Sequence, residues 1–222
     1  MDVFTIGHSN HSSEAFMALL KQHGITALVD VRSHPYSRYL PHFNQAPLKA
    51  SLKAAHIHYL FLGQALGARS DNPDCYLNGK AVYQRIAATA CFQEGIQRVV
   101  KGAQTYRIAL MCAEKDPITC HRAVLVCPHL SACGLQIQHI LSNGDLESHP
   151  QLEERLLELH NLKPSQAAPA QLSLFGDGFL SESGTLRSKE EALQEAYRLQ
   201  GDRIAYVERT AEKAEPSHEP TH

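Results

Sequence analysis

A chain of 222 residues is long for one minimal α/β domain and short for two full ones. With 43% hydrophobic and 20% charged residues it carries enough apolar material for a packed core, which excludes a wholly disordered chain. The net charge of −2 excludes a basic coat for nucleic acid, though not a local basic patch. No stretch approaches the roughly 18 apolar residues of a membrane span. The opening Met1 to Gly7 has neither a basic region nor a long apolar run. No secretory signal is therefore expected, a cytoplasmic location is, and the six cysteines are expected as thiols.

Residues 3–6 read as a short buried strand ended by Gly7. Ser12 or Ser13 caps a helix whose apolar side is Phe16, Leu19 and Leu20, and Gly24 stops it. Residues 25–31 form a second strand. A loop rich in His, Pro and Tyr runs from Arg32 to about Phe43, followed by a helix over 47–55 and a third strand over 58–62. A polar loop with Gly63, Gly67, Asn72 and Pro73 leads to a long helical region over 82–100. Residues 107–111 are a buried strand, 119–133 a helix stopped by Gly134, and 135–141 a last strand. Residues 146–162 close as an amphipathic helix carrying Leu152, Leu156, Leu157 and Leu159.

Short buried strands alternating with helices imply right-handed βαβ units. The expected fold is therefore an α/β, Rossmann-like three-layer domain with a mostly parallel sheet over residues 1–162. A flexible linker over 163–187 and a partly helical tail over 188–222 follow. The linker rests on composition, from Lys163 through Pro164 to Ala170. The tail helix rests on the capping-box spacing of Ser188 and Glu191. Charge changes at the same boundary: residues 1–162 hold 14 Lys and Arg against 13 Asp and Glu, and residues 163–222 hold 7 against 10.

In open α/β sheets ligands bind beyond the carboxyl ends of the strands. Three polar clusters fall there: Gly7-His8-Ser9-Asn10, Asp30-Val31-Arg32 running into Ser33 to Ser37, and Cys112-Ala113-Glu114 running to Cys120-His121-Arg122. His8, Asp30, Glu114 and Cys120 are the candidate catalytic residues. Asp30 suits a ribose hydroxyl, the orientation of His8, or a base; Glu114 suits a general base or nucleophile. Ser9, Arg32, Ser37, His121 and Arg122 are candidate substrate or anion contacts, Arg32 and Arg122 through their planar forks. Asp116-Pro117 reads as a helix cap followed by the first helical residue, so Cys120 sits in a field that favours its thiolate.

Plainer readings compete. Asp30 and Arg32 also suit a structural ion pair with Arg122 or Glu114, Cys112 a core position, and His8 a buried backbone contact. Cys112, Cys120 and His121 are possible metal ligands, but the gaps between Cys112, Cys120, Cys127 and Cys133 match no familiar zinc pattern, so no metal is expected.

These same motifs, with Phe43 and the Leu62-Gly63 pair, resemble the bacterial and archaeal family catalogued as domain of unknown function 488, over about residues 3–142. Gln64 stands where many relatives have a second Gly. The resemblance implies a small α/β domain and brings no settled activity.

In the linker, Gln171-Leu172-Ser173-Leu174-Phe175 is similar to the pentapeptide that binds the bacterial DNA sliding clamp. Leu172, Leu174 and Phe175 suit an apolar groove and Gln171 an orienting hydrogen bond. The alternative is that these side chains dock back on their own domain. Together the readings lead to an enzyme or enzyme-like factor of DNA metabolism or repair. It would act on a nucleotide or nucleic acid as hydrolase or transferase and be tethered to the clamp. The rivals are a thiol enzyme using Cys120 and a non-catalytic ligand- or metal-binding module.

Overall fold

The computed structural model describes residues 1–163 and 188–208. The Gln171–Phe175 pentapeptide therefore lies outside the described residues. Five parallel strands and one antiparallel edge strand form the central sheet, in the order β3-β2-β6-β1-β7-β8. In chain order these are β1 (Asp2–Gly7), β2 (Ala27–Asp30), β3 (His58–Phe61), β6 (Ile108–Cys112), β7 (Gln136–Ile140) and β8 (Leu146–Ser148). A two-stranded ribbon of β4 (Tyr76–Leu77) and β5 (Lys80–Ala81) stands apart.

The central strands β1, β2 and β6 are buried almost throughout, as a sheet covered on both faces requires. Alternate residues face opposite layers. Phe4, Ile6, Leu28 and Met111 meet helices α1 (Ser13–Gln22) and α2 (Gln45–Ala54) through Phe16, Leu20, Leu48 and Leu52. Val3, Val29, Leu110 and Ile137 meet the short α3 (Gly63–Leu66), α5 (Ala90–Gly102) and α6 (Cys127–Ala132) through Leu66, Phe92, Ile96, Val99 and Leu130. The three-layer expectation holds. No helix among the described residues is long and apolar enough to cross a membrane.

Three expected elements are drawn differently. The long helix over 82–100 is two, α4 (Tyr83–Ala87) and α5, because Thr89 leaves helical geometry and caps α5 by accepting from the Phe92 amide at 3.2 Å. The helix over 146–162 begins only at His149. Leu146–Ser148 is instead edge strand β8, and Ser148 with Gln151 forms the capping box of α7 (His149–Leu159). The helix over 119–133 is a short 3-10 turn at Pro117–Thr119, a π-helical turn at Arg122–Val126, then α6. Pro128 has no N–H to offer the Val124 carbonyl, and the turn widens so that the Cys127 amide reaches back to Arg122.

The tail helix α8 (Lys189–Ile204) forms with its capping box and packs on the domain. Ala192 and Ala196 press against Leu156 and Leu157, and the buried Gln200 donates to the Ile118 carbonyl at 2.8 Å. After it, the Ala81 amide donates to Tyr206 and Lys80 bridges to Val207.

Candidate functional site

β1 and β6 are neighbours, yet the chain leaves β1 for α1 on one face and β6 for α6 on the other. That is the switch point at which open α/β sheets form a crevice. The parallel register sets Gly7 beside Cys112 and Asp30 beside Met111, so the three polar clusters share one edge. A cavity of about 480 Å³ opens there, lined among others by His8, Arg32, His34, Arg69, Glu114, His121 and Tyr206. A larger hollow of about 1030 Å³ lies between α4, α6 and α8, away from these strand ends.

Gly7 is dictated by contact. A Cβ there would stand 1.9 Å from the Glu114 carbonyl oxygen. Beyond it the ladder continues, with the His8 amide donating to Cys112 at 2.8 Å and the Ser9 amide to Ala113 at 2.9 Å. The His8 ring stacks on Phe43 at 4.4 Å, and its Nδ1–H donates to the Ser9 carbonyl at 2.9 Å. Burial pulls its pKa down to about 4, so the ring is neutral at physiological pH.

Asp30 and Arg32 pair with each other, not with Glu114 or Arg122. Oδ1 of Asp30 accepts from the Arg32 amide and Nε at 3.1 and 2.9 Å; Oδ2 accepts from Arg32 Nη2 at 2.7 Å and the Tyr59 hydroxyl at 2.9 Å. Arg32 Nη2 also donates to the Phe43 carbonyl at 2.8 Å. Asp30 is completely buried with both oxygens occupied, which suits it to holding the 33–43 loop rather than to acting as a base. Arg32 lines the cavity with its fork already engaged. Ser37 lines it too, while its hydroxyl accepts from the Leu40 amide at 3.0 Å. Ser9, at φ 46°, turns its hydroxyl to Asn10 and stays outside the lining.

Around β6 and the following turn, donor atoms of Cys112, Glu114, Cys120 and His121 lie within 4.8 Å of one another. His121 Nε2–H donates to the Val31 carbonyl at 3.0 Å, which turns Nδ1 toward Cys112 Sγ at 3.6 Å and Cys120 Sγ at 3.9 Å. Cys120 Sγ donates to Glu114 Oε2 at 2.9 Å and accepts from the Arg122 amide at 3.4 Å. Burial and the bond with Cys120 push the Cys112 thiol up. Burial opposes ionisation of Cys120 too, but Cys112, Arg122 and His121 outweigh it and hold that thiol well below its ordinary value. Although Glu114 as a residue is exposed, desolvation of its carboxyl, which is turned in against the Cys120 sulfur, and the charge of Cys120 raise it. Burial alone lowers His121, yet Cys120 and Glu114 reverse the sign and raise it. Cys127 and Cys133 stand outside the group. Residue spacing along the chain does not reveal this grouping, because a strand end and a turn bring the donors together.

Cys120 is 1% exposed and does not line the cavity; Cys112, Glu114 and His121 do. Arg122 is fully buried, its Nη1 donating to the Glu114 carbonyl at 2.9 Å and its Nε facing Thr5 Oγ1 at 3.4 Å, so it clamps the chain and not a ligand in the cavity. The cap expected at Asp116 is present, its side chain accepting from the Ile118 amide at 3.1 Å, but it caps the short 3-10 turn.

Sequence reasoning missed Arg69 and Tyr206. The guanidinium of Arg69 sits 4.2 Å over the Tyr206 ring and has no acidic partner among the described residues. Gly67 was its one local signal: a Cβ there would stand 2.3 Å from the Ser33 hydroxyl, so this loop must press on the 33–43 loop. Tyr206 had no local signal, since α8 brings it in.

Comparison with curated proteins and with solved structures finds no match. A family profile described as "Domain of unknown function DUF488" matches residues 12–127, just over half of the chain and including every member of the Cys112–Arg122 cluster. The chain belongs to the DUF488 family.

Proposed function

We propose that this protein is an enzyme of nucleotide or nucleic-acid metabolism, a hydrolase or transferase whose substrate seats a phosphate in the cavity above the strand ends. The observation that carries this reading is the lining itself. Arg69, His34, Arg32, His8 and His121 face a single carboxylate, Glu114, across a volume suited to a mononucleotide. Tyr36, 73% exposed, and Tyr206 offer aromatic faces at the same cavity. Arg69 is the anion contact, since Arg32 is committed to Asp30. Glu114 is the group set to exchange a proton with water or a leaving group. Attack by Cys120 is disfavoured because that sulfur lies behind Glu114 and His121. The Gln171–Phe175 pentapeptide supports a tether to the DNA sliding clamp, which would offset weak intrinsic affinity for DNA.

The test is turnover on a panel of nucleoside phosphates and of intact and damaged short DNA. Glu114→Gln is expected to lower kcat by about 10²–10⁴-fold on whichever substrate reacts. Arg69→Ala is expected to act mainly through KM. Equal activity in wild type and Glu114→Gln removes Glu114 from the mechanism. If the wild type neither turns over nor saturably binds any member of the panel up to about millimolar concentration, the reading fails.

A further inference from the structure

We propose that Cys112, Cys120 and His121 hold a zinc-class divalent ion, with its fourth coordination position, closed by Glu114, facing the cavity. The donors are preassembled. Two sulfurs, one imidazole nitrogen and one carboxylate oxygen lie within 4.8 Å of one another, a separation that small side-chain rotations convert into a tetrahedron. His121 carries the second-shell bond typical of a metal-bound imidazole: Nε2–H on the Val31 carbonyl fixes the tautomer and presents the Nδ1 lone pair to the sulfurs. The Arg122 amide on Cys120 Sγ is the bond a metal-bound thiolate accepts.

Charge points the same way. Arg122 is fully buried, its guanidinium donates to carbonyl and hydroxyl oxygens, and the anion that a buried cation needs comes from the adjoining Cys112, Glu114 and Cys120. Ionising both thiols beside Glu114 supplies three negative charges in a tight group, which is too many for Arg122 alone. A divalent ion brings the group to neutrality. Thiolate and imidazole donors select zinc-like ions over magnesium or calcium, which prefer oxygen. Binding releases the two thiol protons to solvent and involves no change of oxidation state.

Exposure divides the set. Cys112, Cys120 and His121 are 3%, 1% and 7% exposed, whereas Glu114 is exposed; Cys112 and His121 reach the cavity lining beside it and Cys120 does not. Three buried ligands with one exchangeable position toward a cavity is the arrangement of a catalytic rather than a purely structural zinc site. That catalytic role rests on the reading of the cavity given above; metal binding does not.

The experiment uses the full chain, purified reduced, with Zn²⁺ titrated against a chromophoric chelator and Co²⁺ substituted for absorption spectroscopy. One equivalent per chain is expected, with the intense visible bands of tetrahedral cobalt and a thiolate-to-cobalt charge-transfer band. Cys112→Ser and Cys120→Ser are each expected to weaken binding by more than about 100-fold, beyond the range of second-shell losses. Glu114→Gln, a change at an exposed side chain, should keep one equivalent, alter the cobalt spectrum and weaken binding about tenfold. Cys127→Ser, a buried cysteine outside the group, should bind as wild type does. Less than about a tenth of an equivalent on folded wild type in excess Zn²⁺ overturns the proposal. So does an unchanged affinity and cobalt spectrum in both Cys120→Ser and Glu114→Gln. Tight metal binding without nucleotide turnover keeps this site and removes only the substrate reading. Turnover by protein that binds no metal does the reverse.

Discussion

At the scale of single residues, the cavity's walls are held by groups that cannot be changed one at a time. Asp30 and Arg32 are 0% and 6% exposed and form a bidentate pair at the end of β2. Removing one partner leaves the other buried and uncompensated, which costs about 3–5 kcal/mol. Asp30→Ala is therefore expected to lower the urea midpoint steeply, whereas Tyr59→Phe, which removes one of four bonds to the same carboxylate, costs about 1.5–3 kcal/mol. A stability loss in Asp30→Ala no larger than in Tyr59→Phe would refute the positioning role. Gly7 is constrained more tightly still, because the Glu114 carbonyl occupies the space a side chain needs.

At the scale of elements, β7, α7 and α8 are joined by one directed chain of hydrogen bonds that starts beneath the site. Arg122 can only donate, and the Glu153 carboxylate can only accept. The intervening order follows from those ends: Thr5 to His139 Nδ1 at 2.8 Å, His139 Nε2 to His149 Nδ1 at 3.1 Å, His149 Nε2 to the Tyr197 hydroxyl at 3.1 Å, and Tyr197 to Glu153 at 3.0 Å. Both imidazoles must be neutral for the order to hold, because a second N–H on either would face another donor. Burial pulls His149 down to about 4 and His139, which also faces His149, Arg122 and Arg155, well below its ordinary value. The unfolded chain then binds more protons than the folded one between about pH 6.5 and 4. Stability is thus complete above pH 6.5 and falls on acidification through that window, by an amount on the order of 3 kcal/mol from His149. Chemical denaturation from pH 7.5 down to 4.5 checks it. His149→Gln should make the dependence shallower, leaving the share that His8 and His139 contribute, and an equally steep fall in that variant would exclude His149 as a source. None of this was legible in the sequence. Periodicity places a histidine on a strand or at a helix start but does not say which histidine it will meet.

At the scale of the molecule, the layers, the parallel sheet and the shared edge of the three polar clusters were legible, because buried runs such as residues 107–111 and turn residues such as Gly7 carry local signals. The pairing of Asp30 with Arg32, the convergence of Cys112 with Cys120 and His121, and the second cavity wall were not, because they depend on register and on the docking of α8. The proposed tether to the sliding clamp belongs to the whole chain and is tested on it. The intact protein is expected to bind a bacterial sliding clamp at tens of micromolar, about −6 kcal/mol, and Leu174→Ala with Phe175→Ala to abolish that binding. Absence of binding by the intact protein in that range sinks the idea. The return of α8 also bears on where this protein can be cut. A chain ended after Leu162 keeps all six strands of the main sheet. It nevertheless loses Ile204 and Tyr206 from the cavity, the ring beneath Arg69, and the Gln200 bond to Ile118 next to the turn that carries Cys120 and His121. Such a fragment should fold, pass for the complete family domain, and be a poor reporter of what the native protein binds. Residues 204 and 206 also lie beyond the 12–127 span shared with the family, so this wall of the cavity is built from chain outside the family profile.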